Sequence, residues 1–164
     1  HMMKSGLGIH AVSIGKLQVA AVVAVNALGD IIDIDTGRRI AGLLNEDNTE
    51  LSNTEEAMYA QYSEDKNVFS GNTTIGCIVT NAKLSKAQAN KIASIAHNGF
   101  ARAIRPVHTM FDGDTIFAMA TGEIEVMPDA VGALAAEVMA RAINRAVRAA
   151  EPAYGLKAAR NINL

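Results

Sequence analysis

The sequence has no tryptophan, a single cysteine, three prolines and only 4% aromatic residues. One cysteine, Cys77, excludes an internal disulfide framework and suits a reducing cytoplasm, the location expected. Few aromatics and no basic run leave neither stacking platforms for bases nor a track for phosphates, so no nucleic-acid partner is expected. The net charge of −2 adds no strong field of either sign. Gly, Asn or a charge interrupts every apolar run before the ~20 residues a bilayer crossing needs, so no membrane segment is expected. No secretory leader is read at the N-terminus, where His1-Met2 ahead of Met3 looks like a cloning remnant.

What is present is apolar: 49% of 164 residues, enough for one domain with a real core. Ala11–Ile14 and Leu17–Val25 predict a β-hairpin turning at Gly15-Lys16, its second strand buried on both faces because it hardly alternates. Asp30 to Asp35 reads as an edge strand with a solvated acidic face. No His or Glu completes a ligand spacing there, and no metal or cofactor is expected. Residues 45–70 turn polar. Ser52-Asn53-Thr54-Glu55 offers a capping box for a short helix to about Tyr62, with a loop or tether beyond it. A second box, Ser85 with Gln88, starts a helix to about Ile104, with Ile92, Ile95, Ala96 and Phe100 on one face. His97 lies beside that face as an ordinary core or helix-end histidine. After Pro106 come a loop, a strand over 115–121, and a helix from Ala130 to about Ala150 with Asp129 as N-cap. On that last helix Arg141, Arg145 and Arg148 read as a solvated side. Strands, helix, strand, helix in this order imply an α+β domain with helices layered on a sheet.

The chemistry centres on Ser70-Gly71-Asn72-Thr73-Thr74-Ile75-Gly76. Gly71 permits a left-handed or strained backbone, and a hydroxyl follows directly on Asn72. An N→O acyl shift at the Asn72 carbonyl, then hydrolysis, leaves Thr73 as a new N-terminus. Its hydroxyl then sits beside its own α-amine, whose ordinary pKa of roughly 7.7–8.0 suits a base near neutrality. Thr74 is the rival nucleophile, but its side chain points to the other sheet face. The residues alone also allow a plain turn entering a strand. Asn26, at the end of a strand, is either a turn former or an oxyanion-hole amide. Asp112-Gly113-Asp114 is either a tight turn with solvated carboxylates or an acidic pair beside Thr73, accepting from its hydroxyl and ammonium. His108 lines a pocket or merely packs.

Asn72-Thr73-Thr74-Ile75-Gly76, Thr80-Asn81-Ala82, the run His108 to Ala118 and the upstream Val23 to Asp30 together resemble one family. It is the D-aminopeptidase/esterase and β-aminopeptidase group of self-processing N-terminal nucleophile hydrolases. The resemblance extends over nearly the whole chain but only the back half of a typical member. It implies an αββα layered sandwich, incomplete where the front half's strands are absent, and cleavage into 1–72 and 73–164. It implies Thr73 as nucleophile and α-amine base, Asn26 as the oxyanion amide, and Asp112 and Asp114 in orientation and proton handling. Lys4 becomes a possible positive charge at the site, although Ser5 departs from the family's Lys-Gly-Gly run and a frayed, solvated lysine is the alternative. The acidic pair matches the nylon-oligomer hydrolase branch; the β-aminopeptidase branch has Ser and Glu there. Small amides or N-terminal peptide residues are the implied substrates, and a tetramer of processed pairs the implied assembly. Two other functions stay open: an acetyl-transferring ornithine-type enzyme with a Thr nucleophile, and an inactive fragment or binding module.

Overall fold

The computed structural model describes residues 1–61 and 71–162. Its strands are β1 (Leu7–Ile14), β2 (Leu17–Ala24), β3 (Asp30–Ile32), β4 (Arg39–Ala41), β5 (Ile75–Ala82), β6 (Ile104–Arg105) and β7 (Thr115–Ile124). Its α-helices are α1 (Thr54–Gln61), α2 (Lys86–Ala103) and α3 (Pro128–Ala149), and a short 3₁₀ turn spans Ala159–Asn161. Tyr62 and the tether expected over 63–70 lie outside the described residues.

The main sheet has the order β1-β2-β5-β7, antiparallel except for the parallel β5–β7 pair. Helices α2 and α3 lie against each other and against one face of this sheet. Side chains alternate across a strand, so Leu17, Val19, Ala21 and Val23 are buried under the helices. Burial of β2 on both faces is not found: Gln18 and Ala24 are exposed, and Ala20 and Val22 half-buried. The strand lacks alternation because its uncovered face is itself apolar. The hairpin also starts earlier than expected, at Leu7. Gly8 and Gly99 let the layers close. A Cβ on residue 8 would stand 1.9 Å from the Ala142 carbonyl oxygen, and one on residue 99 would stand 2.5 Å from that of Ala136.

The capping box of Ser85 and Gln88 is formed as read, and α2 ends at Ala103. Two caps shift by one residue. Asn53, not Ser52, caps α1: its side chain accepts from the Glu55 and Glu56 amides at 3.1 and 3.4 Å and donates to the Glu56 carboxylate at 2.8 Å. In α3 Pro128 takes the first helical position, where its missing N–H costs nothing, and Asp129 falls in the first turn instead of capping it.

The acidic strand is also different. β3 is the middle strand of a small sheet ordered β4-β3-β6, not an edge. Asp30 and Asp33 are buried, and each is matched to donors. Asp30 accepts from the Thr54 hydroxyl (2.6 Å), the Thr54 amide (2.9 Å) and the Leu43 amide (3.0 Å), and pairs with Arg39 at 2.9 Å. Asp33 accepts from the Asp35 and Thr36 amides at 2.8 and 2.9 Å and pairs with Arg148. Those turn amides, with Arg148, hold its carboxyl below the ordinary range, against the opposing effect of burial. The arginines of α3 are therefore not simply solvated. Arg141 grips Asp35 at 3.1 Å and Glu137 at 2.6 Å, and Arg145 donates to the Ile9 carbonyl at 3.3 Å.

Candidate active site

Thr73 precedes β5 by two residues and is held by two hydrogen bonds. Its amide donates to the Asn26 carbonyl at 2.8 Å, fastening it to the end of β2. Its hydroxyl donates to the Asn72 carbonyl oxygen at 2.6 Å. The same oxygen accepts the Gly113 amide at 3.0 Å, and Asn72 bridges Asp112 in parallel register. The carbonyl of the bond in question thus receives two donors, one a fixed backbone N–H. Residue 113 has to be glycine for this approach, since a Cβ there would stand 2.8 Å from the Thr73 hydroxyl oxygen. Gly71 takes φ +74°, a left-handed conformation that glycine adopts freely. Thr74 is fully buried toward the helices, and its hydroxyl has no hydrogen-bond partner among the described residues. The two threonines face opposite ways, as strand alternation requires.

The two acids are brought to this place but hold different partners. Asp112 accepts from the Thr109 hydroxyl (2.7 Å), the Thr109 amide (3.0 Å) and the Leu28 amide (3.4 Å), tying the 106–114 loop to the segment between β2 and β3. Asp114 accepts the Thr74 amide at 2.9 Å with one oxygen and meets His108 Nδ1 at 2.8 Å with the other. Neither carboxylate accepts the Thr73 hydroxyl, which the Asn72 carbonyl oxygen takes. His108 does more than fill space: behind it, His97 Nδ1 stands 3.3 Å from His108 Nε2. Burial holds the His97 pKa below the usual imidazole value, with His108 adding to the effect and Asp114 opposing it.

Asn26, Asn72 and Lys4 share the lining of a cavity of about 450 Å³, walled on its apolar side by Val25, Leu28, Ile31 and Leu43. Thr73 itself is not among the lining residues. The Asn26 side chain is exposed, and its amide stands 3.4 Å from the Gly71 carbonyl, one peptide before the Asn72 carbonyl. Lys4 is not frayed. Its amide donates to the Lys157 carbonyl at 2.7 Å and its ammonium bonds the Ser5 carbonyl. Sequence reasoning missed the Gly113 amide and the His97–His108 contact. The first was signalled by a glycine between two acids. The second had no local signal, because eleven residues and a change of element separate the rings.

Residues 1–161 match peptidase family S58. The chain belongs to that family. An uncharacterised aminopeptidase of Mycobacterium bovis is 37% identical over 98% of this chain and 52% of its own length. A 6-aminohexanoate-oligomer endohydrolase of a Kocuria species is 31% identical over 88% of this chain and 44% of its own length. The S58 chain thus spans about half the length of the curated relatives it matches. Two solved structures share its fold: a Burkholderia β-aminopeptidase, with TM-score 0.61, 20% identity and coverage of 98% and 48%, and the L-aminopeptidase D-Ala-esterase/amidase of Ochrobactrum anthropi, with TM-score 0.58, 18% identity and coverage of 91% and 41%. The latter is described as a variant of the Ntn hydrolase fold. The layered α+β architecture read from the sequence is therefore that of an Ntn-fold S58 chain. No helix among its described residues is long and apolar enough to cross a membrane.

Proposed function

We propose that this S58 chain carries the nucleophile of an amide hydrolase of the aminopeptidase type, and that it cuts itself between Asn72 and Thr73. One observation carries the proposal: the Thr73 hydroxyl bonds the carbonyl oxygen of the residue before it, and the Gly113 amide donates to that same oxygen. In the cleavage step Thr73 Oγ1 bonds to the Asn72 carbonyl carbon, and its proton passes to the Thr73 nitrogen. That nitrogen leaves as an amine, and an ester remains between Asn72 and Thr73 Oγ1. Water then hydrolyses the ester, releasing the Asn72 carboxylate and restoring the hydroxyl. The Gly113 N–H is already aimed at the oxygen that turns negative, so little reorganisation is needed. A rigid hydroxyl beside its target also gains effective concentration.

After the cut, Thr73 holds hydroxyl and α-amine together. The Asn26 carbonyl, 2.8 Å from the Thr73 nitrogen, is placed to accept from the new amine. Asn26 supplies the side-chain amide to the oxyanion, Asp112 keeps the Gly113 loop in place, and Asp114 sets the charge beside the nucleophile. The cavity is of a size for a small amide or the first residues of a peptide, and Lys4 contributes its charge there.

Intact mass and N-terminal sequencing test the cut. Pieces 1–72 and 73–164 are expected, the second beginning Thr73-Thr74-Ile75. Thr73→Ala stays whole and inactive, while Thr73→Ser retains part of both activities. The decisive comparison uses a form extended to the full length of the relatives. If that form is uncut, and hydrolyses amides equally well as Thr73→Ala, Thr73 is not the nucleophile.

A further inference from the structure

Behind Asp114 lies a string of two imidazoles that the cleavage chemistry above does not use. His108 Nδ1 is 2.8 Å from one Asp114 oxygen, and the other oxygen takes the Thr74 amide at 2.9 Å. His108 Nε2 is 3.3 Å from His97 Nδ1 on α2. The rings meet edge to face, with centroids 4.8 Å apart, and Phe100 flanks both at 5.4 and 5.9 Å. His108 is held at φ +55°, a conformation that costs a non-glycine residue energy and persists only where its surroundings impose it. The Asp114 side chain is 4% exposed, so charge placed on it is poorly screened.

We propose that His108, backed by His97, is a positioning residue that sets the charge Asp114 presents to the Thr74 peptide, next to the nucleophile. This extends the self-cleavage proposal and rests on it. With both rings neutral, His108 donates Nδ1–H to Asp114 and accepts Nδ1–H from His97. Asp114 then presents a full negative charge at the nucleophile's strand. When the pair takes up one proton, His108 carries it, donating to Asp114 on one side and to His97 on the other, so His97 must change tautomer. The imidazolium cancels the charge of the carboxylate. A second proton would put two cations in contact. Among the described residues, the charged groups acting on His97 are His108 and Asp114, and the remaining ring against the pair is Phe100. A full negative charge on Asp114 favours the positive charge that develops on the Thr73 nitrogen as it takes up the hydroxyl proton and leaves, so cleavage should rise with pH as the pair loses its proton. In the uncut chain residue 73 has an amide and no α-amine, so an α-amine cannot be the source of this pH dependence.

The test has two independent readouts. The first is nuclear magnetic resonance on Thr73→Ala, which cannot cut. Its Thr74 amide proton should shift with the midpoint shown by the His97 and His108 rings. His108→Asn keeps a donor and tolerates the backbone, and it should remove that step. Asp114→Asn should move the ring midpoint to lower pH, because the cation loses its carboxylate. A Thr74 amide that ignores the histidines, or that moves equally in His108→Asn, overturns the proposal whether or not the chain cuts itself. The second readout is the rate of cleavage with Thr73 intact. The rate should fall roughly tenfold, the factor carried by about 1.4 kcal/mol, from the deprotonated to the protonated pair. In His108→Asn it should stay level. A cleaving chain with the same pH profile in His108→Asn also refutes the proposal. If the chain stays whole at every pH while the Thr74 step is present, self-cleavage is at fault and the coupling stands.

Discussion

At the scale of the residue the proposed chemistry rests on three groups: the Thr73 hydroxyl and the Gly113 amide, both donating to the Asn72 carbonyl oxygen, and the Asn26 carbonyl that fixes the Thr73 nitrogen. Asn26 has two separable parts. Its carbonyl survives any substitution, while Asn26→Ala removes only the side-chain amide. Turnover should then fall by roughly 10²–10³-fold with the fold intact, as when one oxyanion donor is lost. Unchanged turnover in a folded Asn26→Ala protein would remove that amide from the mechanism. The two acids should also separate. Asp112 satisfies three donors from two segments, so Asp112→Ala should destabilise by about 1–3 kcal/mol and displace Gly113. Asp114→Asn should leave thermal stability nearly unchanged and slow cleavage. Equal thermal losses in the two variants would contradict the division of roles.

At the scale of the element, close approach of helix and sheet is the feature most open to test. Gly8→Ala drives a Cβ into the Ala142 carbonyl, which is backbone and has nowhere to go. The cost should be at or above the ~1–3 kcal/mol usual for overpacking, read as a lower denaturation midpoint. Gly76→Ala meets the mobile end of Met139 at 2.6 Å and should cost less. Acid should weaken the same layers. His10 and His97 both have pKa values below the usual 6.5, chiefly from burial. The unfolded chain then binds more protons than the folded one, so their contribution is full above about 6.5 and is lost as pH falls through the folded values. Asp33 acts in the same direction at lower pH: its contribution is present above the ordinary carboxylate range and is lost on acidification through its depressed value. Denaturation midpoints should therefore decline from pH 7 downward, and His97→Gln should remove part of the first decline. The helices and hairpins of this layer were largely legible in the sequence, because capping boxes and 3.6-residue periodicity are local signals. The acidic strand was not. Nothing near Asp30 announces Arg39 or Thr54, and nothing near Asp33 announces Arg148 on a helix more than a hundred residues on. The Asn72-Thr73 bond and the acidic loop could be named from sequence, whereas the partners of each carboxylate depended on tertiary register.

For the whole molecule the telling feature is the sheet face turned away from the helices. Strand register lines up Leu7, Ala24, Ile75 and Thr115 in one row; Ile9, Val22, Cys77 and Phe117 in the next; and Ala11, Ala20, Val79 and Met119 in a third. Leu7, Ile9, Ile75, Val79, Phe117 and Met119 are all exposed. An apolar patch this continuous usually marks a contact surface, and Thr73 continues the Ile75-Cys77-Val79 side of β5, so the proposed nucleophile stands at its margin. The S58 relatives carry about as much chain again as the part matched here. The expected cover is that further length, brought in with an apolar face of its own, and the site would then have a second wall. Cys77 can report on this: it is half-buried in the middle row, and burial raises its thiol pKa, so labelling should be slow but measurable. A thiol reagent should modify Cys77 in the 164-residue chain and leave it protected in a form of the relatives' full length. Val79→Lys should be tolerated in the short chain, where position 79 meets water, and should destabilise the long one by burying a charge. Equal labelling in both forms would show the face to be open in the longer protein as well. Protection that grows with the concentration of the short chain alone would assign the face to a second copy.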